Sequence, residues 1–135
     1  MSKLRTLTVL LILSFVILYS WSCKKEALPK AIVKVVELID SIEVPVNHAF
    51  VEVGPATKEE VLKEVLAEGY TNSSGVIEFE FDRELVLRAE ASKYAKDEEG
   101  NIIYDSNNDP VVQKSGYKTL VLEMDYTDNK TIEVK

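Results

Sequence analysis

The chain of 135 residues has one cysteine and one histidine, and these two scarcities exclude more chemistry than any other feature. A lone cysteine forms no disulfide within the chain, although an exported protein of this size has the option. A lone histidine, His48, leaves no second imidazole for a metal site, and beside Asn47 it reads as a solvated loop residue. No G-x-S-x-G elbow stands out after the first 22 residues. Basic charge is also scarce: 16 Lys and Arg face 23 Asp and Glu, a net charge of −7. Phosphate backbones and anionic head groups repel such a surface, so nucleic acid is not expected as a partner. The one long apolar run, Leu7 to Trp21, has 15 residues, short of the roughly 20 that a spanning helix needs. No internal repeat is evident.

What is present at the N-terminus has a recognisable order. Lys3 and Arg5 precede the apolar run, and small Ser22 follows it, immediately before Cys23. A charged start, an apolar middle and a small residue at the cut describe a secretory signal peptide over residues 1–22. With Lys3 and Arg5 removed, 14 basic residues face 23 acidic ones, a balance of −9. The stretch Tyr19–Ser20–Trp21–Ser22–Cys23 resembles the lipobox of bacterial lipoproteins. Its loose positions Ser20 and Trp21, and the Lys24–Lys25 that follows, are similar to those of Bacteroidota lipoproteins. The resemblance implies a diacylglycerol on Cys23, cleavage just before it and acylation of the new amino terminus. Several acyl chains give firm anchorage, each buried methylene contributing about 0.8 kcal/mol. Lys24 stands where an inner-membrane retention Asp is common in that family, so the outer membrane is the expected address. Residues 23–30 read as a lipidated tether.

From Ala31 onward the pattern is that of short strands. Ala31–Leu38 is rich in Val and Ile; Ser41–Asn47, with Pro45, reads as a turn of edge character. Ala49, Val51 and Val53 share one parity, as do Ile77, Phe79 and Phe81, then Leu85, Leu87, Ala89 and Ala91. Leu120, Leu122 and Met124, and finally Ile132 and Val134, repeat it. Over residues 57–67 two readings compete. Thr57 to Glu60 has capping-box spacing, and Val61, Leu62, Val65 and Leu66 fall at helical intervals; the same residues also suit an extended strand into Thr71. The sum predicts an all-β, antiparallel seven-stranded sandwich over 31–135, with one short helix near 57–67 as an option.

Thr71, Gly75 and Phe79 form a T-x-x-x-G-x-x-x-F segment between two such strands, and Gly116–Tyr117–Lys118 precedes the terminal pair. This order resembles the carboxypeptidase-regulatory-like and transthyretin-like sandwich domains of bacterial surface lipoproteins. The resemblance implies that the Thr–turn–Gly–Phe segment is a central hairpin, that Phe79 packs between the sheets, and that Val61–Thr71 is strand.

Three groups are candidate sites. Asp105, Asn107 and Asp109 place oxygen side chains at alternate positions, a pattern that can hold calcium, although Pro110 and Gly116 stand where an EF-hand needs Gly and Glu. Tyr94, Tyr104 and Tyr117 lie in or beside the long polar segment 94–116, and tyrosine suits carbohydrate and protein contacts. Cys23 is the lipidation site. The expected activity is non-enzymatic: a lipid-anchored binding or structural module of the cell envelope, with other envelope proteins or carbohydrate as partners. An assembly component of a secretion system and a calcium-stabilised adhesin module are the alternatives.

Overall fold

The structure, a computed structural model, describes residues 25–55 and 64–135. Cys23 and most of the 57–67 segment lie outside the described residues. Eight strands follow in order: β1 (Lys30–Ile39), β2 (Ile42–Pro45), β3 (Phe50–Gly54), β4 (Ala67–Tyr70), β5 (Val76–Glu80), β6 (Leu85–Tyr94), β7 (Val112–Leu122) and β8 (Thr127–Glu133). The end of the ambiguous segment, from Ala67, is strand, and no helix occurs among the described residues.

The strands form two four-stranded sheets packed as a sandwich. In one, β1 pairs with β8 on one side and with β5 and β2 on the other; the second has the order β4-β3-β6-β7. The expected sandwich is present with one more strand than the sequence predicts. The addition is β2, from the stretch expected only as a turn. Three of its four residues are exposed, so it carries no burial alternation by which to recognise it. Every ladder is antiparallel except one: β1 and β8 run parallel over Lys30–Val36 and Thr127–Glu133.

The core follows the alternation. Ala31, Val33 and Val35 face Ala49, Val51, Val53, Leu87, Ala89 and Ala91, with Leu120, Leu122, Ile132 and Val134 closing the far side. Fully burying each of the larger side chains stabilises by about 1.5–3 kcal/mol. Phe79 is buried here; the central hairpin that the resemblance implies is not formed, because β4 and β5 belong to different sheets and the 71–76 turn carries the chain from one sheet to the other. Thr71 is buried too. Its hydroxyl donates to the Val46 carbonyl at 2.6 Å and accepts from the Ala49 N–H at 2.9 Å. One side chain thus ties the link after β2 to the start of β3.

Three loops share one construction. In 72–76, 97–101 and 105–109, the first residue is Asn or Asp, and its side-chain oxygen accepts from the N–H groups two and four positions on, at 2.8–3.1 Å. The fourth residue is left-handed in each: Gly75 (φ 73°), Gly100 (φ 89°) and Asn108 (φ 65°). Short Asx side chains favour such turns, and Gly or Asn tolerates the left-handed position. The last two loops recur at eight residues, a short repeat that the sequence reading passed over. Between them the backbone closes a triangle: Ala95 N–H donates to the Val111 carbonyl, Ile103 N–H to Ala95, and Val111 N–H to Ile103. Residues 95–111 are therefore a compact meander at the end of β6 and β7.

The N-terminal segment is attached before β1 begins. Ala27 N–H donates to Asp125 Oδ1 at 2.6 Å, and Asp125 N–H returns a bond to the Ala27 carbonyl at 2.9 Å. Pro29 is fully buried, and its carbonyl accepts from Phe81 N–H. The expected tether is thus hydrogen bonded to the sandwich from Ala27 onward.

Candidate functional site

The richest surface is the outer face of the β4-β3-β6-β7 sheet. Pairing register sets its rows. Phe50 lies opposite Tyr70 on one side and Ser92 on the other, with Ser115 beyond. One row along, Glu52 lies opposite Glu68 and Glu90, and Tyr117 follows Glu90. An aromatic and hydroxyl row therefore runs beside an acidic one.

The aromatic row extends past the strand ends. His48, left-handed at φ 59°, stacks on Tyr70 with ring centroids 4.3 Å apart and planes 12° apart. Phe50 touches Tyr70 at 5.1 Å and stacks on Tyr94 at 5.9 Å. Burial pushes the Tyr94 hydroxyl up to about 12, with Tyr70, Glu52, Glu68 and Tyr104 adding to the effect through their charge. Desolvation, then Glu68 and Glu90, holds the Glu52 carboxyl above the ordinary range. Like charges directly opposite on adjacent strands are unfavourable, and among the described residues no cation pairs with Glu52 or Glu68.

Beside Glu90 the face deepens into an open groove of about 480 Å³, lined by Arg88, Ser92, Ser115, Tyr117 and Lys135 among others. The Arg88 guanidinium lies 3.5 Å over the centre of the Tyr117 ring, and its Nε donates to Glu90 at 2.7 Å. That geometry fixes the ring and the guanidinium plane together. A smaller hollow of about 200 Å³ opens at the sandwich end between Asn47, His48, Tyr94, Lys96 and Gln113.

The three tyrosines expected as a group are divided. Tyr94, at the end of β6, and Tyr117, in the middle of β7 opposite Glu90, are both on this face; Tyr104 is 54% exposed on the meander, near enough to Tyr94 to affect its ionisation. The sequence reading missed Phe50, Tyr70, Arg88 and the glutamate row. Their parity was legible, but cross-strand register was not.

Asp105, Asn107 and Asp109 do form one loop, with one oxygen of the Asp105 carboxylate, Oδ1, accepting from the N–H groups of both Asn107 and Asp109. Asn72, an uncharged amide, holds the same loop by the same bonds. The carboxylate at Asp105 thus has a structural task that requires no cation. Among the described residues no group of three or more His, Cys, Asp or Glu side chains is placed to hold a metal ion.

Taken together, the face offers ring surfaces, hydroxyls, a fixed guanidinium and carboxylate acceptors on a broad open sheet, an arrangement suited to holding a ligand by stacking and hydrogen bonds. Neither a protein-family model nor a curated protein matches the chain.

Proposed function

We propose that this chain is a lipid-anchored lipoprotein of the cell envelope, held by acyl chains on Cys23, whose sandwich is a non-enzymatic binding module. The outer membrane is the proposed address. The observation that carries the binding role is the row of His48, Tyr70, Phe50 and Tyr94 on a wet sheet face. Tyr70 is 46% exposed and contributes little to the core; one face is stacked on His48, and the exposed remainder of its ring is available to a ligand. Aromatic faces stack on sugar rings while carboxylates such as Glu52 and Glu68 accept hydroxyl hydrogens, which favours carbohydrate as the ligand class. The open form of the groove speaks against hydrolysis of such a ligand, which needs two carboxylates set across a cleft.

Two measurements test this. Labelled fatty acid should enter the wild type and not Cys23→Ala; equal labelling removes the anchor. Binding to purified envelope polysaccharides should fall in Tyr70→Ala with the fold unchanged by circular dichroism; unchanged binding removes the face.

A further inference from the structure

We infer that the end of the sandwich formed by Leu28, the Asp82–Glu84 turn and Met124–Tyr126 is a membrane-facing surface, apposed to zwitterionic lipid head groups. The inference rests on the reading of Cys23 as the lipidated residue.

The argument is one of chain length and of where the chain is fastened. Ala27 is clamped to Asp125 by two backbone-directed bonds, and Pro29 behind it is fully buried. Only four residue steps separate Cys23 from Ala27, and an extended chain covers at most about 3.5 Å per residue, so the clamp lies within about 14 Å of the anchored cysteine. The sandwich is longer than that. β1 alone has 10 residues, about 33 Å at the strand rise. The body therefore has no slack to turn its other end to the bilayer.

The surface at the clamped end fits a lipid head-group layer. Leu28 is 39% exposed and Tyr126 52% exposed. Tyrosine, apolar in body and polar at the tip, is favoured at that depth. Asp82, Glu84, Glu123 and Asp125 lie in the same turns and outnumber the exposed cations Lys25 and Arg83, the latter paired with Asp82, which disfavours anionic lipid and is compatible with head groups that carry an ammonium. In this orientation β1 ends away from the lipid. The β1–β2 hairpin, the Glu37 end of the core, His48, Tyr70 and Tyr94 all lie at that far end.

The test uses the processed, lipidated protein in phosphatidylcholine–phosphatidylethanolamine vesicles containing a head-group quencher. Fluorophores are placed singly at Glu123→Cys and Glu43→Cys, since the Cys23 thiol is consumed by its thioether. Mass analysis of the N-terminal peptide is read first. Diacylglyceryl-Cys23 together with several-fold stronger quenching at position 123 than at 43 supports the orientation. Lipid present with equal or reversed quenching overturns the orientation and leaves the anchor standing. Absence of lipid on Cys23 overturns both. A ten-residue Gly/Ser insertion between Glu26 and Ala27 is expected to reduce the quenching difference; no change overturns the tether-length argument.

Discussion

Glu37 on β1 and Lys93 on β6 meet at 2.7 Å across the gap between the two sheets, and Lys114 on β7 approaches the other carboxylate oxygen at 3.3 Å. Glu37 faces inward and is only 8% exposed, so the triad closes the core at one end. The hydrogen bond from Lys93, followed by that from Lys114, holds the Glu37 carboxyl below its ordinary value in spite of burial. Its stabilisation is complete above the unfolded value of about 4.5 and is lost as pH falls through the lower folded value. Glu37→Gln should cost about 1–3 kcal/mol at pH 7, less than a fully buried pair because both lysines are partly hydrated. Urea denaturation of both proteins from pH 7 to pH 3 should show the difference shrinking with acid.

Gly75 and Gly100 occupy the same place in two copies of one loop, yet their surroundings differ. A Cβ on Gly75 would lie 2.6 Å from the Val35 carbonyl oxygen, whereas one on Gly100 meets nothing within 4 Å. Gly100→Ala should therefore cost only the left-handed backbone penalty, about 1–2 kcal/mol. Gly75→Ala should cost clearly more, because Val35 must move from its bond with Gly75. Denaturation midpoints of the two variants compare them directly; equal losses would refute the crowding argument.

Thr71→Val keeps the shape of the side chain and removes both hydroxyl bonds. It leaves the Val46 carbonyl and the Ala49 N–H without that partner in a buried place, at a cost of about 1–3 kcal/mol. Thr71→Ser retains the hydroxyl and should recover much of the loss. Thermal unfolding of the pair checks this.

Asp105→Asn should leave the melting temperature nearly unchanged, since Asn72 supports the identical loop with an amide. Millimolar calcium should not raise the melting temperature of the wild type, because a cation that stabilises must bind the native state selectively. Calorimetry with and without chelator reads both outcomes, and a calcium-dependent rise would restore the metal site.

Tyr94 should ionise well above the ordinary tyrosine range. Desolvation keeps its hydroxyl protonated to about 12, against 10 for an ordinary tyrosine. The folded form binds this proton more tightly than the unfolded form, so the associated stability declines as pH climbs from 10 toward 12. Ultraviolet titration of wild type and Tyr94→Phe should differ by a step near 12.

Much of the architecture was legible because most strands have one dry face. The alternation of Ala49, Val51 and Val53, and of Leu87, Ala89 and Ala91, names their buried sides correctly. β2 was not legible, being mostly exposed and ending at Pro45. Nor was the parallel partnership of β1 with β8, which joins residues almost a hundred positions apart with no local mark. The site suffered from the same limit. Glu52, Glu68 and Glu90 each sit on a wet parity, but only register puts them in one row. The eight-residue loop unit was a different case: its Asp and its Gly or Asn were present at fixed spacing, and the signal was there to be read.

The parallel β1–β8 ladder has a mechanical meaning. β1 leaves the clamp at Ala27, and β8 ends at the opposite end of the body. A pull between Ala27 and the far end of β8 drives the two strands past each other lengthwise. The ladder positions from Lys30–Thr127 to Val36–Glu133 are then strained together instead of opening one by one like a zipper. Backbone bonds loaded in shear share the force. The body is thereby suited to hold its shape under a load applied between the start of β1 and the end of β8.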